Sequence, residues 1–430
     1  MEPVLQLALD FADMERALRL AREGVEGGAQ WLEAGTPLIK SEGLNAVRRL
    51  RSEFPKETIV ADLKTMDAGR AEMEMASKAG ANVAIVLGVA ADGTIRECIE
   101  AGRNYGLRIG VDLIRVGDPL KRAQEVREWG ADHVIVHCGI DEQMYGETPF
   151  EALRRIARAT DLPLAVAGGL NSETVVDAVE AGACILIVGG AITKAPDARA
   201  ATRQMLEAIR SRARVKSELY RRTAADQVRE MLLKASTANI SDGSHRLPCC
   251  EGIRPIAPGF KLVGAAVTVR TYPGDWSKPV QAIDAAAPGD VVVIDAGGRG
   301  PAVWGELATR SCLQKKVAGV VIDGAIRDTA EIQALKFPAF SRLIQSNAGE
   351  PKGFGEIGVP ITIGGVRVEP GDWIVGDDDG VMILAKARAV EMTNYAMDCL
   401  EKENRLRQEI EGGRTTLGKV TELLRWDKRI

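Results

Sequence analysis

The chain has 430 residues, room for about two or three domains of ordinary size, each with its own hydrophobic core. Hydrophobic residues make up 46% and charged residues 27%, the mix of a globular protein in water, and no apolar run approaches the ~20 residues needed to span a bilayer. Lys plus Arg is 56 against 60 for Asp plus Glu, so the net charge of −4 argues against a general nucleic-acid binder, which needs a basic face.

Eight short apolar, β-branched runs recur through the first half: VLQLALDF from Val4, WLEAGT from Trp31, TIVADLK from Thr58, NVAIVLG from Asn82, LRIGVDLI from Leu107, HVIVHCG from His133, LPLAVAGG from Leu162 and CILIVGGA from Cys184. Segments of helical period separate them, such as DMERALRLAREG and DPLKRAQEVREWG. Strands that are apolar on both faces and alternate with helices predict a parallel sheet. Eight such units predict a (β/α)8 barrel over residues 1–212, with an open doubly wound sheet as the competing topology. From Ala191 to Asp242 there is no Gly, which predicts a stiff helical connector over 213–225. Its basic run RSRARVKSELYRR reads as a solvated face; the alternative is a nucleic-acid contact through Arg210, Arg212, Arg214 and Lys216. After Gly243 strands shorten and Gly/Pro turns multiply, which predicts a second, β-rich domain over 226–430 that ends in a helix at 386–411.

The opening residues, MEPVLQLALDF, lack a basic segment ahead of an apolar run, and the expected location is the cytoplasm. Seven Cys with no C-x-x-C predict neither a disulfide framework nor a zinc finger. With only three His, any metal is expected to sit among carboxylates, which favours a hard ion such as Mg²⁺ or Mn²⁺.

Chemistry in a (β/α)8 barrel collects at the C-terminal ends of the strands. The runs end in Asp10, in Glu33 and Thr36, in Asp62, Lys64 and Asp67, in His137, and in the pairs Gly168–Gly169 and Gly189–Gly190. Polar groups closing apolar strands are costly to bury without a task. Asp62 and Lys64, two apart on a strand, are expected to point the same way, and a Lys flanked by carboxylates stays charged and can stabilise an oxyanion. The two Gly pairs stand where such barrels bind phosphate through backbone N–H groups.

These residues resemble a known family. The D-x-K-x-x-D of ADLKTMD, with EAGTPLI (33–39), HCGIDEQ (137–143), AGG (167–169) and VGGAIT (188–193), looks like 3-hexulose-6-phosphate synthase, of the orotidine-5′-monophosphate decarboxylase suprafamily. The sister 3-keto-L-gulonate-6-phosphate decarboxylases usually carry an Arg soon after the His; here Cys138, Gly139 and Ile140 follow His137, which favours the synthase over a keto-sugar-acid phosphate decarboxylase. Ala68 follows the motif where a true orotidine decarboxylase has a second Asp. The resemblance implies reversible aldol addition of formaldehyde to D-ribulose 5-phosphate, as in formaldehyde assimilation. It implies Mg²⁺ on Glu33 and Asp62, Lys64 stabilising an enediolate, His137 moving protons, and Asp67 reaching across a two-fold dimer interface.

The second half carries GGRGPAVWGELAT (297–309) and GVVIDGAIRDTAEI (319–332), with Glu306 separated by 20 residues from Arg327-Asp328. The glycine-rich loop is expected to offer free backbone N–H groups to an anion, with Arg327 pairing it and Asp328 ligating a divalent ion. Over roughly 226–400 this half resembles the family of RraA, the ribonuclease E inhibitor, and the 4-hydroxy-4-methyl-2-oxoglutarate aldolases. That implies a swivelling β/β/α fold and three-fold assembly. The domain is expected to be either a pyruvate-type class II aldolase or an interaction and oligomerisation module. The whole chain is expected to act on a sugar phosphate and formaldehyde, with no nucleic-acid or membrane partner, as a homo-oligomer.

Overall fold

The computed structural model describes residues 2–217, 220–223, 225–413 and 415–421. The chain divides into two compact units: Met1–Arg222 with Glu401–Ile430, and Thr223–Leu400. No helix among the described residues is long and apolar enough to cross a membrane.

In the first unit, strands β1 (Val4–Leu9), β2 (Trp31–Ala34), β3 (Thr58–Thr65), β4 (Val83–Leu87), β5 (Arg108–Asp112), β6 (His133–His137), β7 (Leu164–Ala167) and β8 (Ile185–Val188) pair in parallel and in order. β8 returns to β1, so the sheet is a closed barrel and the open doubly wound alternative falls. Each strand is apolar on both faces because it serves two cores. Leu5, Leu7 and Leu9 of β1 pack outward beneath the helices, while Ala8, Val60, Ile85, Ile135, Ala165 and Ile187 fill the barrel interior. The intervening helices are set by their ends. Asp13 caps Met14–Gly27 by accepting from the Arg16 N–H, and left-handed Gly28 closes it. Asp118 caps Pro119–Trp129, which begins on proline.

The connector departs from the expected stiff helix. The helix Ala198–Ser211 stops at Arg212, which is left-handed, and residues 213–217 and 221–223 carry no regular structure. Side-chain bonds hold this segment against the barrel instead: Ser172 Oγ donates to the Val215 carbonyl (2.7 Å), and the Ser217 N–H donates to Glu173 (2.9 Å). The basic run divides accordingly. Arg210, Arg212, Arg214 and Lys216 are exposed, whereas Arg221 and Arg222 turn inward to Glu173 and Glu401.

The second unit holds a nine-stranded mixed sheet whose main path is β19-β18-β10-β11-β13-β14-β9. Its parallel centre is β10 (Leu262–Arg270), β11 (Val291–Asp295), β13 (Gly319–Ile326) and β14 (Ala339–Ile344). Antiparallel β18 (Trp373–Asp377) and β19 (Gly380–Leu384) extend one side, and short β9 (Arg254–Pro255) closes the other. β12 (Ala302–Trp304) pairs with β13 and β15 (Glu356–Ile357) with β10, while β16 (Ile361–Ile363) and β17 (Val366–Val368) form a separate hairpin. The helix Ala389–Glu411 falls where the periodicity of 386–411 predicts one. Its residues belong to both units, those from Glu401 onward to the first, whereas the sequence groups all of 226–430 together. The reason is Arg405, nearly buried, which pairs with Glu23 (2.9 Å) and Glu409 (2.8 Å) and donates to the carbonyls of Ala195 and Pro196.

Candidate active site

The barrel's side-chain parity builds the site. On each strand the residues that face the interior alternate with those beneath the helices. The alternation that turns Ala8, Val60 and Ile135 inward therefore brings Asp10, Asp62 and His137 to the same side, one step further at the C-terminal rim. The same step from Trp31 gives Glu33, and from Gly110 gives Asp112. All five line a cavity of about 390 Å³ that also includes Thr36, Lys64, Gly168, Gly169, Gly189 and Gly190.

Lys64 is the hub. Its Nζ lies 2.8 Å from Asp62 Oδ2 and 3.2 Å from Asp112 Oδ2. Burial works against its charge, yet the two carboxylates outweigh burial and hold its pKa above the ordinary lysine value. Simple strand alternation does not bring it there. Lys64 has φ 48°, and the β3–β4 register shifts between Ala61 and Thr65, so a local kink delivers the amine to both acids.

Asp112 escapes the motif reading, although it ends the run LRIGVD by the rule that finds the others. It is 1% exposed and receives three bonds: from Lys64, from the Ile114 N–H (2.9 Å) and from His137 Nδ1 (2.9 Å). Burial alone would raise its pKa; His137 and Lys64 reverse that and lower it. Thr36 donates its hydroxyl to Asp62 Oδ2 (2.8 Å) and to the Asp62 carbonyl (2.9 Å), so it orients that carboxylate. Gly168 and Gly169 are left-handed (φ 105° and 71°), a conformation that suits glycine and turns the loop after β7 toward the cavity.

Asp67 stands apart from the rim within the single chain. It is exposed, outside the cavity lining, and its carboxylate accepts from the adjacent Ala68 N–H (2.8 Å). The chain turns away after Thr65 to start the helix Gly69–Lys78.

The rim acids are buried and repel one another. Burial raises the Glu33 pKa well above its ordinary value, and the charges of Asp62 and Asp10 add to the effect. Asp10 is likewise raised, by burial and then by Asp62. Among the described residues, no three rim acids bring ligand atoms within 4.8 Å of one another. Two neighbouring acids with all-oxygen donors, whose mutual repulsion a cation would relieve, fit a hard divalent ion that keeps most of its waters.

In the second unit, Glu306, Arg327 and Asp328 line a separate cavity of about 300 Å³ with Trp276, Trp304 and Leu307. Asp328 is left-handed (φ 56°), accepts from the Glu306 N–H (3.0 Å) and lies 3.7 Å from Arg327 Nε. Two expectations change here. The glycine-rich loop spends amides internally: Gly297 donates to Asp295 and Gly298 to the Asp323 carbonyl. The Glu306 carboxylate also lines the cavity but pairs with Arg310 one turn on, which leaves the two acids a poor donor set for a divalent ion within one chain.

Residues 3–205 match the orotidine 5′-phosphate decarboxylase/HUMPS family, and residues 237–383 match the Aldolase/RraA family. The 3-hexulose-6-phosphate synthase of Methylomonas aminofaciens is 43% identical over 201 residues, 46% of this chain and 96% of that one. The synthase of Staphylococcus haemolyticus is 40% identical over 206 residues, 48% of this chain and 98% of its own. A crystal structure of the Salmonella typhimurium synthase covers 49% of this chain and all of that one, with 35% identity and a TM-score of 0.47. The barrel half thus belongs to the orotidine 5′-phosphate decarboxylase/HUMPS family, with 3-hexulose-6-phosphate synthases among its relatives, and an RraA-like domain follows it in the same chain.

Proposed function

We propose that the barrel catalyses the reversible aldol addition of formaldehyde to D-ribulose 5-phosphate, giving D-arabino-hex-3-ulose 6-phosphate. The observation that carries this reading is Lys64 held between the carboxylates of Asp62 and Asp112, with His137 bonded to the same Asp112. Removing a proton from C1 of the ketose places negative charge on the neighbouring oxygen. A fixed ammonium beside that oxygen stabilises the enediolate without reorganising as charge develops. Asp112, ionised and accepting from Nδ1 of His137, leaves the other ring nitrogen to take and return the proton. Carbon–carbon bond formation then joins C1 to formaldehyde, and the new alkoxide is protonated. The glycine pairs after β7 and β8 anchor the phosphate, which fixes the reacting end at Lys64.

Glu33 and Asp62 are the residues that would hold Mg²⁺ or Mn²⁺, which supplies positive charge opposite the developing oxyanion when bound. In the second unit, Arg327 in the lining of a cavity with Trp276 and Trp304 supports binding of a small carboxylate.

The test incubates the protein with ribulose 5-phosphate, formaldehyde and Mg²⁺ and follows loss of formaldehyde. Consumption that depends on the ketose supports the assignment, and none would overturn it. EDTA should stop the reaction and added Mg²⁺ or Mn²⁺ restore it; full activity after exhaustive chelation would remove the metal from the mechanism.

A further inference from the structure

We infer that Tyr220 is a substrate-positioning residue of the barrel, supplied by the segment that follows the complete barrel fold, and that its ring closes the phosphate end of the cavity. This inference rests on the proposed sugar-phosphate reaction.

Tyr220 stands fifteen residues beyond the segment 3–205 that matches the family, yet it lines the barrel cavity. Its ring lies against Gly190, so closely that a Cβ on that glycine would collide with it. Its hydroxyl donates to Gln143 Oε1 (3.3 Å), and the Gln143 amide in turn donates to the Cys138 carbonyl (2.9 Å). One side chain therefore touches the loops after β6 and β8, and its carbonyl accepts from Asn171 in the loop after β7 (3.4 Å).

The ring is held from behind as well. The Tyr220 N–H donates to Glu401 (2.6 Å), and the Arg222 guanidinium sits 4.0 Å from the ring centroid while pairing with the same Glu401 (3.3 Å). Lys194 Nζ lies 5.4 Å from the ring centroid. The backbone at Tyr220 is left-handed (φ 53°), unusual for an aromatic residue and sustained by bonds on both sides. A fixed apolar plate on Gly190 excludes water from the glycine amides, and donors shielded from water bind an anion more strongly. Arg222 and Lys194 place positive charge close to the ring. The ring acts on the phosphate end of the substrate, away from Lys64, so it governs binding more than turnover.

The experiment uses the full chain. Tyr220→Leu should raise the KM for ribulose 5-phosphate about tenfold with kcat within threefold, and should weaken inorganic phosphate binding, measured by calorimetry, to a similar degree. Tyr220→Phe keeps the plate and should stay within about twofold of the parent in both. An unchanged KM in Tyr220→Leu, or a fall in kcat alone, overturns the proposal, as does a Tyr220→Phe variant as weak as Tyr220→Leu. Thermal melts identify a variant that fails to fold, in which case Tyr220→Phe and Tyr220→Trp carry the comparison. Trp keeps an apolar plate too large for the space over Gly190 and should raise the KM, and parental values would sink the fit. Should the parent bind phosphate but consume no formaldehyde, the reaction assignment falls while the calorimetric arm still reads Tyr220. Failure of the parent to bind phosphate at all overturns the positioning role.

Discussion

Lys64 and Asp112 differ in what each is asked to do. In the proposed reaction Lys64 supplies the charge that faces the enediolate, so Lys64→Ala should lower kcat by about 10²–10³-fold or more. Steady-state kinetics of a folded variant checks this, and retention of a tenth of the parental rate would refute the oxyanion role. Asp112 acts through its neighbours: it pins the amine of Lys64 and the ring of His137. Asp112→Asn should cost about 10²-fold in kcat, because the amine of Lys64 and the ring of His137 lose the carboxylate that holds them. Steady-state kinetics checks this, and a folded variant at the parental kcat would confine Asp112 to packing. His133, at the other end of β6, shows the opposite use of a histidine. Burial, then Arg108, lowers its pKa to about 4. The unfolded chain regains an ordinary value near 6.5, so it binds more protons than the folded chain between those limits. Its contribution is intact above about pH 6.5 and is lost as the pH falls toward 4. The barrel should therefore lose on the order of 3 kcal/mol across that window from this residue. Urea titrations of the parent and His133→Asn at pH 7 and pH 5 check the difference, and an equal loss in both would assign the acid sensitivity elsewhere.

At the scale of elements, the strands are legible because each is a short β-branched run that must be apolar on both faces. β14 is the exception in the second unit: FPAFSRLI carries a serine and an arginine and does not read as a buried strand. Arg342 explains it, since its guanidinium pairs with Asp323 of β13, and Ser341 donates to the Gly324 carbonyl. The connector is the opposite failure. Its composition is helical, but the bonds from Ser172 and Glu173 to its backbone compete with helical pairing and win. The closing helix depends on Arg405 in a similar way. That guanidinium is nearly buried between Glu23 and Glu409, so Arg405→Ala removes the cation the two carboxylates share, with Arg16 still 3.6 Å from Glu409. The expected loss is about 3–5 kcal/mol, read as a lower melting temperature of the barrel transition. Melting unchanged within a degree would show that the segment from Glu401 adds nothing to barrel stability.

At the scale of the whole molecule, the two family resemblances imply different symmetries. We propose, from those resemblances, that the barrels pair about a two-fold with Asp67 facing the neighbour, and that the RraA-like domains assemble about a three-fold. Asp67 is exposed and outside its own chain's cavity, as a residue serving a partner has to be. A chain carrying both interfaces closes into a finite particle when the axes are compatible, and the smallest such particle is a dihedral hexamer. Light scattering at micromolar concentration should give about six times the chain mass. A monomer or a simple dimer would show that the second domain does not form its three-fold contact. An Asp67→Ala loss of activity in a correctly assembled particle would place that carboxylate in the neighbouring site.

The sequence by itself determined the barrel and the residues that stand at its rim, because both follow from a period of two along short strands. Whatever residue ends an inward-facing run must stand at the mouth, so Asp10, Glu33, Asp62 and His137 are legible, and Asp112 is legible by the same rule. Tertiary structure alone decided the rest. Lys64 reaches Asp112 through a kinked backbone and across 48 residues of chain, and Asp67 leaves the rim because the strand ends at Thr65. Tyr220 meets Gly190, and Arg405 meets Glu23, 382 residues away, through contacts that no local spacing encodes. Period and composition act between neighbours in the chain, whereas these partners are chosen by closure of the barrel and by the segments packed around it.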